Sequence, residues 1–401
     1  VSITRVGGSF RDPDGFLFER DGVLLRQVQH SYADDWRLLH DSGLLKALQS
    51  ESLLVAHQEE AQAVGADAEA FRVIRPTRIP FVSYPYEWTP GQLRSAALLT
   101  LRVQRLALAH GMTLKDASAY NVQFFGHRAC FIDTLSFTRH HEGTPWAAYR
   151  QFCQHFLAPL ALMHLVDPRL RELLRSHLDG VPLDLASRLL PRSTWLRPTL
   201  LLHLHLHAQG IRRHAGRSAP AAVSQRGVSR DGIEGILGHL ESAVTPWGDP
   251  AGPTEWGDYE SEHTYSAAGQ RLKEATIDAW ARSATPRLAF DLGANAGHYS
   301  QLLADAGAYA VAIDGDLGAT ARLVGRIGAA EREDILPLWL DLANPSPAQG
   351  WAHGERASLA ARGPADLVLA LALIHHLAIG NNVPLPRIAA MLADLGTLAV
   401  V

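Results

Sequence analysis

The apolar run Leu288-Ala289-Phe290 leads into Asp291-Leu292-Gly293-Ala294-Asn295-Ala296-Gly297-His298-Tyr299-Ser300. This pattern predicts a strand, a glycine-containing turn and the start of a helix. Side chains are missing at Gly293 and Gly297, so the backbone there can approach a ligand closely. Spacing separates the candidate ligands. A dinucleotide fingerprint asks for G-x-G-x-x-G, and its last position here is His298, which disfavours a bound pyrophosphate. Asp314 closes the next apolar run, 21 residues after Gly293, where a carboxylate can accept hydrogen bonds from both hydroxyls of a ribose. Taken alone, Asp314 could be a helix cap, but among these landmarks ribose binding is the favoured reading. Asp341 ends a third run, and a fourth, Asp366–Leu373, leads to Ile374-His375-His376. Ligands of open α/β sheets sit at the carboxyl ends of such strands, and histidine is the commonest proton-transfer group near neutral pH.

The pattern D-x-G-x-N-x-G resembles motif I of the class I S-adenosylmethionine-dependent methyltransferases, whose loop wraps the methionine part of the cofactor. Asn295 stands where the middle glycine is usual, and asparagine tolerates left-handed backbone. The resemblance implies a Rossmann-like α/β domain in which Asp291, Gly293, Asn295, Gly297, Asp314, Asp341 and Leu373 bind S-adenosyl-L-methionine. Within that set, Asp314 would hold the ribose and Asp341 would contact the adenine amino group. His375 or His376 would take the proton from an O, N or C nucleophile of a small-molecule substrate, whose identity the sequence does not give.

A longer stretch is similar to the bacterial methyltransferase group that includes the nodulation protein NoeA. It includes Asp258 and Lys273, Leu336-Pro337-Leu338, Asn344-Pro345-Ser346-Pro347-Ala348-Gln349-Gly350-Trp351 and Leu371 through Leu377. The resemblance makes Trp256, Tyr259, His263 and Tyr265 candidates for a lid or for substrate contacts, with plain packing as the alternative. Asn344-Pro345-Ser346-Pro347 is superficially similar to the Asn-Pro-Pro-aromatic motif of amide and adenine methyltransferases. It follows the third strand rather than the fourth, so it reads as a rigid turn. Competing readings are a nicotinamide-dependent oxidoreductase and a non-catalytic protein that keeps the cofactor pocket.

A second constellation lies in the first half. Thr113-Leu114-Lys115-Asp116 precedes Asn121 by five positions from Asp116, and Phe131-Ile132-Asp133 follows. This resembles the catalytic loop and metal aspartate of kinase-like phosphotransferases, with Asp116 as base and Asn121 and Asp133 as magnesium ligands. Leu114 stands where the usual histidine would be, and no glycine-rich loop precedes it. A working kinase, a kinase-like fold kept for binding and a coincidental strand and turn all stay open. His203, His205 and His207 would share one face of a strand and could then hold zinc, whereas in a helix they would diverge. No metal site is assigned.

These residues need elements to position them. From Arg287 onward, strands alternate with helices: Leu288–Leu292, a helix through Tyr299–Ala306, Tyr309–Ile313, a helix near 316–328, Ile335–Leu340, Asp366–Leu373, a helix near 384–394, and Thr397–Val401. That order implies a parallel sheet covered on both faces. The family's sheet has seven strands, so the domain is expected to be truncated after its fifth. In the first half, Asp-Gly pairs at Asp14-Gly15 and Asp21-Gly22 signal turns. Helical spacing runs from Tyr32 to Val64 and recurs at 92–110 and 145–178, and Phe71 to Trp88 reads as β-like.

The expected organisation is an α+β domain with kinase-like features over 1–185, a helical and basic linker region over 186–250, and a methyltransferase domain over 251–401. The linker reading rests on Arg188, Arg192, Arg197, Arg212, Arg213, Arg217, Arg226 and Arg230 in the stretch between Asp184 and Asp231, which has no acidic residue. Trp195 is its only aromatic residue, so it lacks the stacking partners of a single-strand binder, and nucleic acid is not an expected partner.

The net charge of −4 gives no global attraction to nucleic acid or to an anionic membrane. Only two cysteines, Cys130 and Cys153, are present, which suits a reducing compartment. No apolar stretch is long enough for a membrane span. The expected location is therefore the cytoplasm.

Overall fold

The computed structural model describes residues 2–60, 65–214, 227–250 and 266–401. The candidate lid residues Trp256, Tyr259, His263 and Tyr265 lie outside the described residues, as do Asp258, Arg217 and Arg226. The chain divides into two compact units. The first comprises Val1–Arg78, Gln92–Gln123 and Ala129–Gly248; the second comprises Ile79–Gly91, Phe124–Arg128 and Asp249–Val401.

The first unit is built on an antiparallel sheet of β1 (Ile3–Arg5), β2 (Gly15–Arg20), β3 (Val23–Gln29), β4 (His57–Glu59) and β5 (Ala70–Pro76), in the order β1-β2-β3-β5-β4. Asp21 and Gly22 join β2 to β3 with φ of 50° and 80°. Two positive φ values are what a tight two-residue hairpin requires and what Asp-Gly supplies. Helices α1 (Ala33–Asp41) and α2 (Leu44–Ser50) follow, their buried faces carrying Trp36, Leu39, Leu44, Leu45 and Leu48. The helical spacing expected to continue to Val64 ends at Ser50, and the β-like run from Phe71 keeps strand geometry only to Pro76. The long helix α3 (Pro90–Ala109) precedes β6 (Met112–Leu114), β7 (Val122–Phe125), β8 (Arg128–Phe131) and β9 (Phe137–Arg139). Here β6 pairs with β9, and β7 with β8.

The region read as a linker is packed helix where it is described. Helical segments span Leu183–Leu189, Arg192–Leu196 and Pro198–His214, and α4 covers Arg230–Val244. Leu200, Leu204, Ile233, Leu237, Leu240 and Val244 are buried. The apolar spacing between the arginines, rather than the arginines themselves, sets its structure.

In the second unit α5 (Ala267–Ala284) opens on a Ser266 cap, whose hydroxyl accepts the Gly269 N–H. Then β10 (Leu288–Leu292), α6 (His298–Asp305), β11 (Tyr309–Asp314), α7 (Leu317–Ala329), β12 (Ile335–Trp339), β13 (Ala365–Leu369), α8 (Leu385–Leu395) and β14 (Gly396–Val400) alternate. All the strand pairs are parallel, in the order β12-β11-β10-β13-β14. Ala289, Ala310, Ala312, Leu367 and Leu369 from the sheet pack with Leu303, Leu323 and Ile327 from α6 and α7. Strand order reverses between β10 and β13, the place beside which open α/β sheets take their ligands, at the carboxyl ends of the strands. The fourth strand, expected to run to Leu373, ends at Leu369. Beyond it Ala372 adopts φ 55°, and a left-handed residue cannot continue a strand.

Among the described residues of this unit, the most deeply buried ion pair joins Glu87 and Arg362, with side chains 0% and 5% exposed. Ser346 also donates its hydroxyl to Glu87 at 2.5 Å, and Arg362 donates to the Val82 carbonyl at 2.7 Å. The network ties the segment 79–91 to the connection between β12 and β13. Ser346 lies in the Asn-Pro-Ser-Pro sequence, which forms neither helix nor strand.

Candidate functional site

The loop from Gly293 to Gly297 connects β10 to α6 with three left-handed residues, Gly293 (φ 74°), Asn295 (φ 49°) and Gly297 (φ 81°). The N–H groups of Gly293 and Ala294 both donate to the Ile313 carbonyl, at 2.8 and 3.1 Å. The Asn295 side-chain oxygen accepts the next N–H, that of Ala296, at 2.7 Å. The two glycines differ in their surroundings. A methyl at 297 would stand 2.4 Å from Leu323 Cδ1, whereas one at 293 would meet only Leu373, with Cδ1 at 3.5 Å. Gly297 is thus needed for packing of α6 against α7, and Gly293 keeps a space beside Leu373 open.

Asp314, the last residue of β11, accepts the Asn295 N–H on Oδ2 at 2.7 Å and the Asp316 N–H on Oδ1 at 2.7 Å. Burial pushes its carboxyl upward; the two backbone donors and nearby His376 work against that. Asp316, not Asp314, caps α7, by accepting the Ala319 N–H at 2.8 Å. The cap role that the sequence left open for Asp314 thus belongs to its neighbour. Trp339 ends β12 opposite Asp314 and donates its indole N–H to the Gly315 carbonyl at 2.9 Å.

Asp291 lies behind the loop. It is 2% exposed and accepts the Ser300 hydroxyl at 2.6 Å. Burial raises its carboxyl to about 6, with the Ser300 hydrogen bond opposing. Asp291 therefore braces the start of α6 rather than facing solvent. Asp341 is exposed and holds its own turn, accepting the Ala343 N–H at 2.8 Å. His375 and His376 stack with ring centroids 4.1 Å apart, His375 exposed and His376 half-buried. The structure thus brings Gly293, Asn295, Asp314, Leu373 and His376 together. Asp291 stands behind them and Asp341 turns to its own loop.

Sequence reasoning missed the polar group on α5. His298 Nε2 lies 2.9 Å from Glu274 Oε1, and Gln270 donates to the same oxygen at 2.9 Å. The Gln270 amide and, less directly, His298 hold Glu274 below the usual carboxylate range. The i, i+4 spacing of Gln270 and Glu274 behind the Ser266 cap is the signal that could have found it.

In the first unit Asp116, Asn121 and Asp133 do converge. Asn121 donates to the Ser136 hydroxyl at 3.2 Å, Ser136 donates to Asp133 at 2.5 Å, and Asp116 accepts the Ser118 N–H at 2.9 Å. Asp133 is also paired with Arg26 of β3 at 2.6 Å, and the same guanidinium reaches Asp12 at 3.1 Å. Burial works to raise Asp133, but Arg26, Ser136 and the Leu135 N–H hold it below its ordinary value. Asp12 and Asp116 are both raised, by burial first and by Asp133 second. Lys115 pairs with Asp14 and lies over the Tyr32 ring.

His203 and His205 lie in a helical segment, so the zinc-binding strand is not formed. They take separate partners: His203 with the Tyr149 hydroxyl at 2.7 Å, and His205 with the Ser187 and Thr194 hydroxyls. His207 stacks on Tyr149. Burial lowers the basicity of all three. Among the described residues, no group of three or more His, Cys, Asp or Glu is arranged to hold a metal ion, and no helix is long and apolar enough to cross a membrane.

No family model matches the chain. It is similar to a solved structure of vaccinia related kinase 3, at 10% identity and a TM-score of 0.32, over 59% of this chain and 85% of that one. That likeness is too loose to inform the fold. The nodulation protein NoeA of Rhizobium meliloti (strain 1021) is 33% identical over 403 residues, covering 99% of this chain and 84% of that protein. With that identity sustained across nearly its whole length, the chain belongs to the family of nodulation protein NoeA.

Proposed function

We propose that the second unit is a Rossmann-like S-adenosylmethionine-dependent methyltransferase domain, acting on an O, N or C nucleophile of a small molecule. The observation that carries this reading is the junction of Asp314 with the Gly293–Gly297 loop. A carboxylate at the end of β11, already aligned by two backbone N–H groups, has acceptor capacity left for two ribose hydroxyls. The open space at Gly293, walled by Leu373, suits close approach of the cofactor's sulfur and methionine chain. Asp341 would meet the adenine amino group through a turn of the exposed loop that now holds it. His298 in place of a final glycine weighs against a dinucleotide.

The cofactor would supply an activated methyl group on a sulfonium, and the chain's own residues would orient it and receive the released proton. His376, close enough to Asp314 to act on its carboxyl, and exposed His375 are the groups placed to accept that proton. Calorimetric titration with S-adenosylmethionine, S-adenosylhomocysteine and NAD tests the reading. Binding of the first two is expected; binding of NAD alone would sink it.

A second reading, phosphotransfer at Asp116, Asn121 and Asp133, is favoured by their convergence. The Arg26 guanidinium already neutralises Asp133, which is the residue a magnesium ion would need. Titration with Mg-ATP measures this directly, and no binding is expected while Arg26 is present.

A further inference from the structure

The short helical turn Arg192–Leu196 stands out from the surface of the first unit. Between Pro191 and Pro198 every residue is exposed except Thr194, and Leu196 is 86% exposed. An apolar side chain left this open adds little to folding. Trp195 beside it is exposed too, and its ring lies over that of His205, centroids 4.4 Å apart and planes 13° apart. Leu202 and Leu206, four residues apart on the helical segment that carries His205, are also exposed. Residues at that spacing share a helix face, so four apolar side chains lie together on one side of the unit.

The turn is pinned from beneath. The Thr194 hydroxyl donates to the Pro191 carbonyl at 2.6 Å, so buried His205 donates to Thr194 from Nε2 at 2.9 Å and accepts the Ser187 hydroxyl on Nδ1 at 2.8 Å. Trp195 and Leu196 are therefore presented in a fixed geometry, with little left to order on binding. Charge comes from the same turn. Exposed Arg192 and Arg197 flank the Trp-Leu pair, and no acidic residue lies between Asp184 and Asp231 to offset them. An apolar tip edged by guanidinium groups is complementary to a surface that is anionic outside and hydrocarbon within, which is the layering of an anionic bilayer.

We propose that this patch docks the first unit reversibly on an anionic lipid surface. Leu196 enters the acyl boundary, Trp195 lies at headgroup level where indole rings are favoured, and Arg192 and Arg197 donate to lipid phosphates while their stems stay on the apolar side. Leu202 and Leu206 widen the contact. With a net charge of −4 on the whole chain, the attraction is confined to this patch and selects the face that meets the lipid. Membrane docking is independent of the methyltransferase reading.

The test is co-sedimentation of the full chain, at low salt, with vesicles of phosphatidylcholine alone and of phosphatidylcholine and phosphatidylglycerol in equal parts. Binding to the anionic vesicles, weakened by salt, and much weaker binding to the neutral ones are expected. Leu196→Ser, at a side chain too exposed to matter for folding, should weaken binding by about tenfold. Arg192→Gln with Arg197→Gln should weaken it by about thirtyfold, or about fivefold for each arginine. Phe10→Ser, at a residue 54% exposed beside Arg11 but outside the patch, should bind like the unaltered chain. No binding to anionic vesicles, equal binding to both kinds, or binding that Leu196→Ser leaves intact or Phe10→Ser reduces as much would overturn the proposal. Sedimentation velocity completes the test: a chain that ignores vesicles but forms a dimer abolished by Leu196→Ser would assign the patch to a second copy and likewise overturn it.

Discussion

Asp314 receives the backbone N–H of Asn295 at 2.7 Å, so the side chain proposed to hold the ribose also fixes the left-handed turn of the loop. Replacing Asp314 by alanine removes an acceptor from both. Affinity for S-adenosylhomocysteine is expected to fall by about a hundredfold, corresponding to roughly 3 kcal/mol for two lost hydrogen bonds to a charged group. Calorimetry checks this, and far-ultraviolet circular dichroism of the variant should match the unaltered chain.

Asp291 gives a dependence on pH. Its folded carboxyl titrates at about 6, against an ordinary value of 3.8, because burial disfavours its ionised form. A carboxyl raised in this way contributes most stability below pH 3.8, and that contribution is lost as pH climbs through 6. The difference is roughly 3 kcal/mol. Asp291→Asn, which can still accept the Ser300 hydroxyl, lacks this loss. Urea denaturation should therefore show the variant gaining on the unaltered chain between pH 4 and about 6, then a constant gap. A gap that stays flat across that window would count against a raised Asp291.

The two loop glycines should fail differently. Gly297→Ala drives a methyl into Leu323 in a left-handed conformation, which should cost about 2 to 4 kcal/mol of stability. Leu323→Ala in the same chain should recover part of the overpacking loss. Gly293→Ala has room at 3.5 Å from Leu373, so only about 1 kcal/mol is expected from its backbone. Its methyl would occupy space proposed for the cofactor, so ligand affinity rather than thermal stability should drop.

In the first unit, Arg26 and Asp133 form a pair with side chains 10% and 16% exposed. Arg26→Ala would leave Asp12 and Asp133 without their common cation and is expected to cost about 3 to 5 kcal/mol, read by chemical denaturation. The loss should shrink at acid pH, because protonation removes the carboxylate charges that Arg26 offsets.

The strands and helices of the second unit could be read from sequence because its strands are continuous apolar runs, separated by single amphipathic helices everywhere except between β12 and β13. Leu288–Leu292 begins and ends as its residues imply. The end of the fourth strand was not legible: Ala370 through Leu373 are as apolar as the strand itself, and only the left-handed Ala372 marks the break. The packing of the helical segments within 183–214 and of Arg230–Val244 was obscured by their arginines, although the buried leucines between them fix the fold. The β2 to β3 hairpin was legible because Asp21-Gly22 states a backbone requirement directly. At the site, glycine spacing and the strand-end aspartates mark the loop. Glu274 has one local mark, its i, i+4 relation to Gln270, but its partner His298 is 24 residues away, and only the fold brings the two together.

The central claim is that the Gly293–Gly297 loop and Asp314 form an S-adenosylmethionine site. Its most direct test is calorimetric titration of the full chain with S-adenosylhomocysteine, alongside NAD and the Asp314→Ala variant. Saturable binding of S-adenosylhomocysteine that the variant loses, with no heat from NAD, is the predicted result; NAD binding without S-adenosylhomocysteine binding would contradict the claim.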